Sequence, residues 1–85
     1  MSEALAAMVR EKLDAGLLPH DQPRKLWAGD GTGKTCTACE RPILSSQREY
    51  EVQYDDDRPE IRFHATCHGL WESERRRRNY LLPSD

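Results

Sequence analysis

The side chains with the greatest chemical capacity in this sequence are three cysteines and three histidines. Four of them fall into two close pairs: Cys36-x2-Cys39, a 24-residue spacer, then His64-x2-Cys67. Zinc takes four nitrogen and sulfur ligands in a tetrahedron, delivered as two such pairs from separate chain segments. An x2 spacing in a tight turn lets both side chains of a pair bend toward one point. Three thiolates around a divalent ion leave a single surplus negative charge. The N–H groups of a helix's first turn favour the thiolate of Cys67. Four protein ligands close the coordination shell, so the expected cofactor is one structural Zn2+ with no open position for water or substrate. Metal affinity then contributes to folding directly, on the order of 10 kcal/mol as an apparent value at neutral pH.

Other chemistries fit the residues less well. A Cys-x2-Cys redox pair requires a βαβ context, whereas here a loop precedes the motif and a hairpin follows it. His68 adjoins Cys67 and could serve as fourth ligand, but His64 keeps the x2 spacing and is preferred. His20 lies in a loop and is expected to be solvated. The run from Ala28 to Thr35 (AGDGTGKT) looks like the end of a phosphate-binding loop with Ala28 in place of the first glycine. That mechanism needs a strand before the loop and a helix after it; here a cysteine pair begins one residue later. Consecutive arginines 75–78 offer cations, yet at roughly 100° per residue they spread around a helix instead of forming a stripe. Glu72–Arg76 and Glu74–Arg78 are spaced for i,i+4 pairs. These arginines are read as a solvated helix end or as a contact for nucleic acid or an acidic partner.

The length of 85 residues allows one domain, at most with a helical arm. Such a chain has few core side chains and calls for a staple, and an odd cysteine count argues against purely internal disulfides. Free thiols suit a reducing compartment, and a cytoplasmic location is expected. No stretch has the apolar length of a membrane span, and acids stand where a signal peptide carries its basic region. The formal net charge of −2 is not that of a protein built to coat a polyanion. Residues 49–60 are strongly acidic, with six carboxylates against Arg58.

The elements that must position the ligands follow from periodicity. Leu5, Met8, Val9 and Leu13 mark one face of an amphipathic helix over residues 2–15, with Ser2 as N-cap and Gly16 as stop. That face either covers the small domain or binds a partner. Residues 19–35 read as a loop, with Leu26 and Trp27 anchoring it to the folded part. Tyr50, Val52 and Tyr54 alternate with polar residues, as do Ile61 and Phe63, so a β-hairpin spans the spacer. Beyond His64 the period becomes helical, with Cys67, Leu70 and Trp71 facing inward. Glu74, Arg75 and Arg78 follow on that face, so the helix is expected to leave the core after about two turns. Leu81, Leu82 and Pro83 are expected to close it. The organisation is a helical arm (1–18), a linker (19–35) and a zinc-binding domain (36–85) of α+β class.

On these residues the chain resembles the treble-clef zinc fingers, and among them the first half of a LIM domain. Cys36-Thr-Ala-Cys39 corresponds to the zinc knuckle, residues 48–63 to the hairpin and His64-Ala-Thr-Cys67 to the strand-to-helix pair. The resemblance implies protein binding for LIM-like modules, and nucleic-acid binding or nuclease activity for other treble clefs. Fold alone does not choose among them. The expected function is a non-enzymatic, regulatory interaction module for a protein partner. Its partner residues are sought among Leu5, Met8, Val9, Leu13 and Arg75, Arg76, Arg77 and Arg78. The alternative is a nucleic-acid-binding finger using the arginines; a metal-dependent hydrolase is a distant third. No small-molecule substrate is expected.

Overall fold

The computed structural model describes residues 3–81, the last three by backbone alone. Two helices flank three strands: α1 (Glu3–Asp14), β1 (Lys25–Asp30), β2 (Arg48–Gln53), β3 (Ile61–His64) and α2 (Ala65–Leu81). This is the expected α+β class, with an antiparallel sheet in the order β1-β2-β3. Ser2, Leu82 and Pro83, expected as helix cap and terminators, lie outside the described residues.

Helix α1 stops where the sequence says it must. Gly16 takes φ 76°, a left-handed conformation that costs a glycine little. The Leu17 and Leu18 N–H groups then both donate to the Lys12 carbonyl, at 2.8 and 3.2 Å. The expected hairpin is present as β2 and β3, with Tyr50 opposite Phe63 and Val52 opposite Ile61. Val52, Ile61 and Phe63 join Cys67 and Trp71 of α2 in the core. Among the described residues no helix is long and apolar enough to cross a membrane.

Three expectations need correction. First, residues 25–30 are a strand rather than loop, paired to β2 with Leu26 opposite Val52 and Trp27 opposite Glu51. Its position at the sheet edge removes the usual signal, because neither face of β1 is buried. Accordingly Leu26 and Trp27 do not anchor the segment: they are 48% and 56% exposed. Second, α2 does not leave the core after two turns. Glu74 and Arg75 are buried, because α1 packs alongside α2. The Arg75 guanidinium lies 4.1 Å from the Trp71 ring centre, and Arg78 reaches Asp14 of α1 at 2.8 Å. Third, Val9 and Leu13 are 1% exposed and belong to the core, so they are not docking residues. Leu5 and Met8 are partly buried against the same cluster.

Candidate metal centre

The chain from Gly31 to Leu44 folds back on itself to present the first ligand pair. Thr35 bridges Pro42, the Cys36 N–H donates to the Arg41 carbonyl at 2.8 Å, and the Glu40 N–H donates to the Cys36 carbonyl at 2.9 Å. Glu40 closes this turn at φ 64°, a conformation unfavourable for a residue with a side chain. The glycine loop packs beneath: a Cβ at Gly31 would overlap the Leu44 carbonyl oxygen. Thr32 donates from its N–H and hydroxyl to the Glu49 carboxylate, at 3.1 and 2.8 Å. Gly31 thus serves close chain packing, while Gly33 supplies a left-handed turn at φ 82°.

The second pair sits where β3 runs into α2. Its meeting with the first pair is arranged by Thr37, whose N–H donates to the Arg62 carbonyl at 2.7 Å. The Thr37 hydroxyl accepts from the Arg62 N–H at 3.2 Å. The knuckle is thereby joined to the outer edge of β3. Lys12 of α1 adds a further tie, donating to the Thr37 carbonyl at 2.7 Å and pairing with Glu40 at 3.0 Å.

Cys36, Cys39, His64 and Cys67 place their ligand atoms within 4.8 Å of one another. Cys39 Sγ and His64 Nδ1 are 3.4 Å apart. A tetrahedral zinc, with bonds of about 2.3 Å to sulfur and about 2.0–2.1 Å to nitrogen, separates its ligand atoms by roughly 3.5–3.8 Å. The cluster therefore needs only a small contraction to close on an ion. The histidine is also oriented for it: Nε2 lies 3.2 Å from the Pro42 carbonyl and 3.2 Å from Gln47 Oε1. Both partners accept, so Nε2 carries the proton and the Nδ1 lone pair faces the sulfurs.

The electrostatics of the thiols favour a cation among them. The hydrogen bond from Cys67 holds the Cys36 thiol down at about 4, against the opposing effect of burial. That same bond, with burial and the charge of Cys36, pushes Cys67 far up. Burial is also the main cause raising Cys39. Without an ion, one thiolate forms at its neighbours' expense; a divalent ion makes three compatible. Cys36 and Cys67 are sealed from solvent. Cys39 and His64 border a cleft of about 460 Å3 that Leu5, Arg41 and Leu44 also line.

The remaining candidates lie elsewhere. His68 is not in the cluster; it is buried and stacks on Tyr50 at 4.7 Å. His20 is exposed, with Nε2 2.7 Å from the Leu13 carbonyl. Arg76 pairs with Glu72 at 2.7 Å, as the spacing predicts, and Glu74 holds both Arg77 and Arg78. Sequence reasoning missed Gln47, Thr37 and Lys12. Their roles depend on loop conformation, which leaves no periodic mark; only the 24-residue spacing of the ligand pairs hinted that something must join knuckle to strand. No protein family, curated protein or solved structure matches this chain.

Proposed function

We propose that the chain is a zinc-stapled, non-enzymatic interaction module whose partner is a protein, docked along β1. The ion is Zn2+, held by soft thiolates and one imidazole in a closed set. The sequence order of knuckle, hairpin and strand-to-helix pair supports the treble-clef reading, and a regulatory adaptor role in a reducing compartment goes with it. The carrying observation is the outer edge of β1. The Gly31 N–H donates to the Gln47 carbonyl at 2.8 Å, which sets the ladder's phase with Asp30 opposite Arg48. Odd-numbered residues of β1 therefore bond to β2, and the backbone groups of Leu26, Ala28 and Asp30 point outward. Natural edges are usually blunted by charge, proline or cover. Here the middle of the strand is Leu-Trp-Ala-Gly, with exposed Leu26 and Trp27.

The occupant is an extended segment of a partner that adds a strand to the sheet. Trp27 shares a shallow cleft with Asp30, Glu49 and Glu51, so the segment carries a Lys or Arg to lie against the indole and carboxylates. Nothing comparable favours nucleic acid, since Arg76, Arg77 and Arg78 each already face a carboxylate. The test is Ala28→Pro, which removes an outward donor while leaving the β1–β2 ladder in place. Zinc-loaded wild type and variant are used to capture nuclease-treated lysate proteins and are compared by mass spectrometry. A partner held by wild type and lost by Ala28→Pro and Trp27→Ser, with zinc content unchanged, is the expected result. Capture indifferent to both substitutions overturns the docking edge. Binding that vanishes with nuclease overturns the protein partner.

A further inference from the structure

A second candidate site lies between α2 and the segment that enters β1. The segment entering β1 and the exposed flank of α2 enclose a pocket of about 270 Å3, lined by Arg24, Lys25, Leu26, His68, Glu72, Arg75 and Arg76 among others. Its wall is dominated by cations. Arg75 is the unusual member: it is only 8% exposed, and its Nε is buried with no hydrogen-bond partner. No carboxylate among the described residues takes it. Glu72 is held by Arg76 and faces His68, Glu74 is shared by Arg77 and Arg78, and Asp21 is bonded to Arg58. Lys25 likewise has no ion-pair partner among the described residues, and Arg24 has only a loose one, Asp55 at 3.6 Å.

A buried guanidinium N–H without an acceptor, as at Arg75 Nε, is costly, because its lost hydration is not replaced. The cation–π contact with Trp71 offsets part of that and holds the group over the ring. A guanidinium held in place by an aromatic ring loses little further freedom when an anion arrives. With Arg75, Arg76, Lys25 and Arg24 all lining the pocket against the single committed acid Glu72, a dianion is favoured over a monoanion. We infer that this pocket binds the phosphoryl group of a small molecule, with Arg75 as the bidentate anchor, Lys25 and Arg24 as mobile cations and Leu26 as an apolar wall. The site shares only Leu26 with the strand-docking reading, which otherwise uses the outer edge of β1 and the far face of Trp27.

The experiment is a titration of zinc-loaded, 15N-labelled protein with phenyl phosphate, inorganic phosphate and acetate at constant ionic strength, followed by amide shifts. Saturable shifts at Lys25, Leu26, His68 and Glu72 are expected with both phosphates, stronger for phenyl phosphate and at least about tenfold weaker for acetate. Arg75→Gln should abolish saturation. Since that change also removes the contact with Trp71, Lys25→Gln serves as an exposed second variant and should weaken binding severalfold while shifting only amides next to residue 25 in the free protein. Equal responses to acetate and phosphate, or phosphate binding unchanged in Lys25→Gln and Arg75→Gln, overturn the site. So does single-stranded oligonucleotide binding that survives Arg75→Gln but is lost with Arg76→Gln and Arg77→Gln, which would place anion recognition on the outer helix face. Loss of response to Ala28→Pro in the capture experiment leaves this result untouched, so the two readings fail separately.

Discussion

At the scale of single residues, the candidate metal centre is held by groups outside the four-residue cluster. Gln47 accepts from the Leu44 N–H at 2.8 Å and stands 3.2 Å from His64 Nε2, so one amide fixes both a turn and a ligand's tautomer. Gln47→Ala is expected to leave the fold intact and to lower zinc affinity by about 10-fold or more, the usual effect of losing such a support. Competition with a chromophoric chelator measures it; unchanged affinity would assign the tautomer to the Pro42 carbonyl alone. His64→Ala should weaken zinc far more than His68→Ala, since only His64 is in the cluster; equal losses would contradict that placement. Glu40 carries a different load. Its left-handed backbone costs roughly 1 kcal/mol relative to glycine, while its ion pair with Lys12 is exposed on the glutamate side and contributes little. Glu40→Gly should therefore be neutral or slightly stabilising in chemical denaturation, and Glu40→Val destabilising by about 1–2 kcal/mol. A marked loss in Glu40→Gly would show that the Lys12 pair outweighs the backbone.

At the scale of elements, legibility followed burial. α1 was readable because Val9 and Leu13 sit at helical spacing on its buried face, and β2 and β3 because Val52, Ile61 and Phe63 alternate with polar residues. The choice between covering helix and partner helix was not readable, because periodicity marks a face and not what it meets. β1 left no trace at all: an edge strand with both faces open carries no alternation, and its partner strand begins only at Arg48. The far end of α2 was misread for a related reason. Glu74 and Arg75 look solvent-bound in sequence, but α1 and the Trp71 ring cover them, and long charged side chains can bury their stems against apolar neighbours. If α1 is integral, Leu13→Ala should cost about 2–4 kcal/mol of stability and should also loosen the protection of α2 amides. Hydrogen exchange on the zinc-loaded chain reads this directly. A variant that loses protection in α1 alone would return the helix to the status of a detachable arm.

For the whole molecule, the three candidate thiol ligands and the apolar core form a single cluster. Cys36, Cys39 and Cys67 pack in the same group as Val9, Leu13, Leu18, Phe63 and Trp71. Trp71 ties this group to the interhelical chain, donating from Nε1 to the Pro19 carbonyl at 3.0 Å and stacking on Phe63 at 5.0 Å. Removing the ion leaves three thiols competing for one negative charge at the centre of that cluster, and a core this small has little else to hold it. Chelation should therefore unfold α1 and the sheet together with the knuckle, in one transition. Falling pH should act the same way, because the thiolates and imidazole must take up protons to release the metal, so stability is lost as pH drops and not as it rises. The two indoles make the experiment specific. Trp27 is exposed and Trp71 fully buried, so a Trp27→Phe chain reports on the core alone. Its emission should shift to the red and its near-ultraviolet dichroism collapse on titration with a strong chelator, with one zinc released per chain. Both signals should return when zinc is added back. A chain that loses its metal while Trp71 stays blue-emitting and α1 stays protected would show that the helix–sheet core folds without the ion, and would reduce the Cys3His cluster to a local clasp.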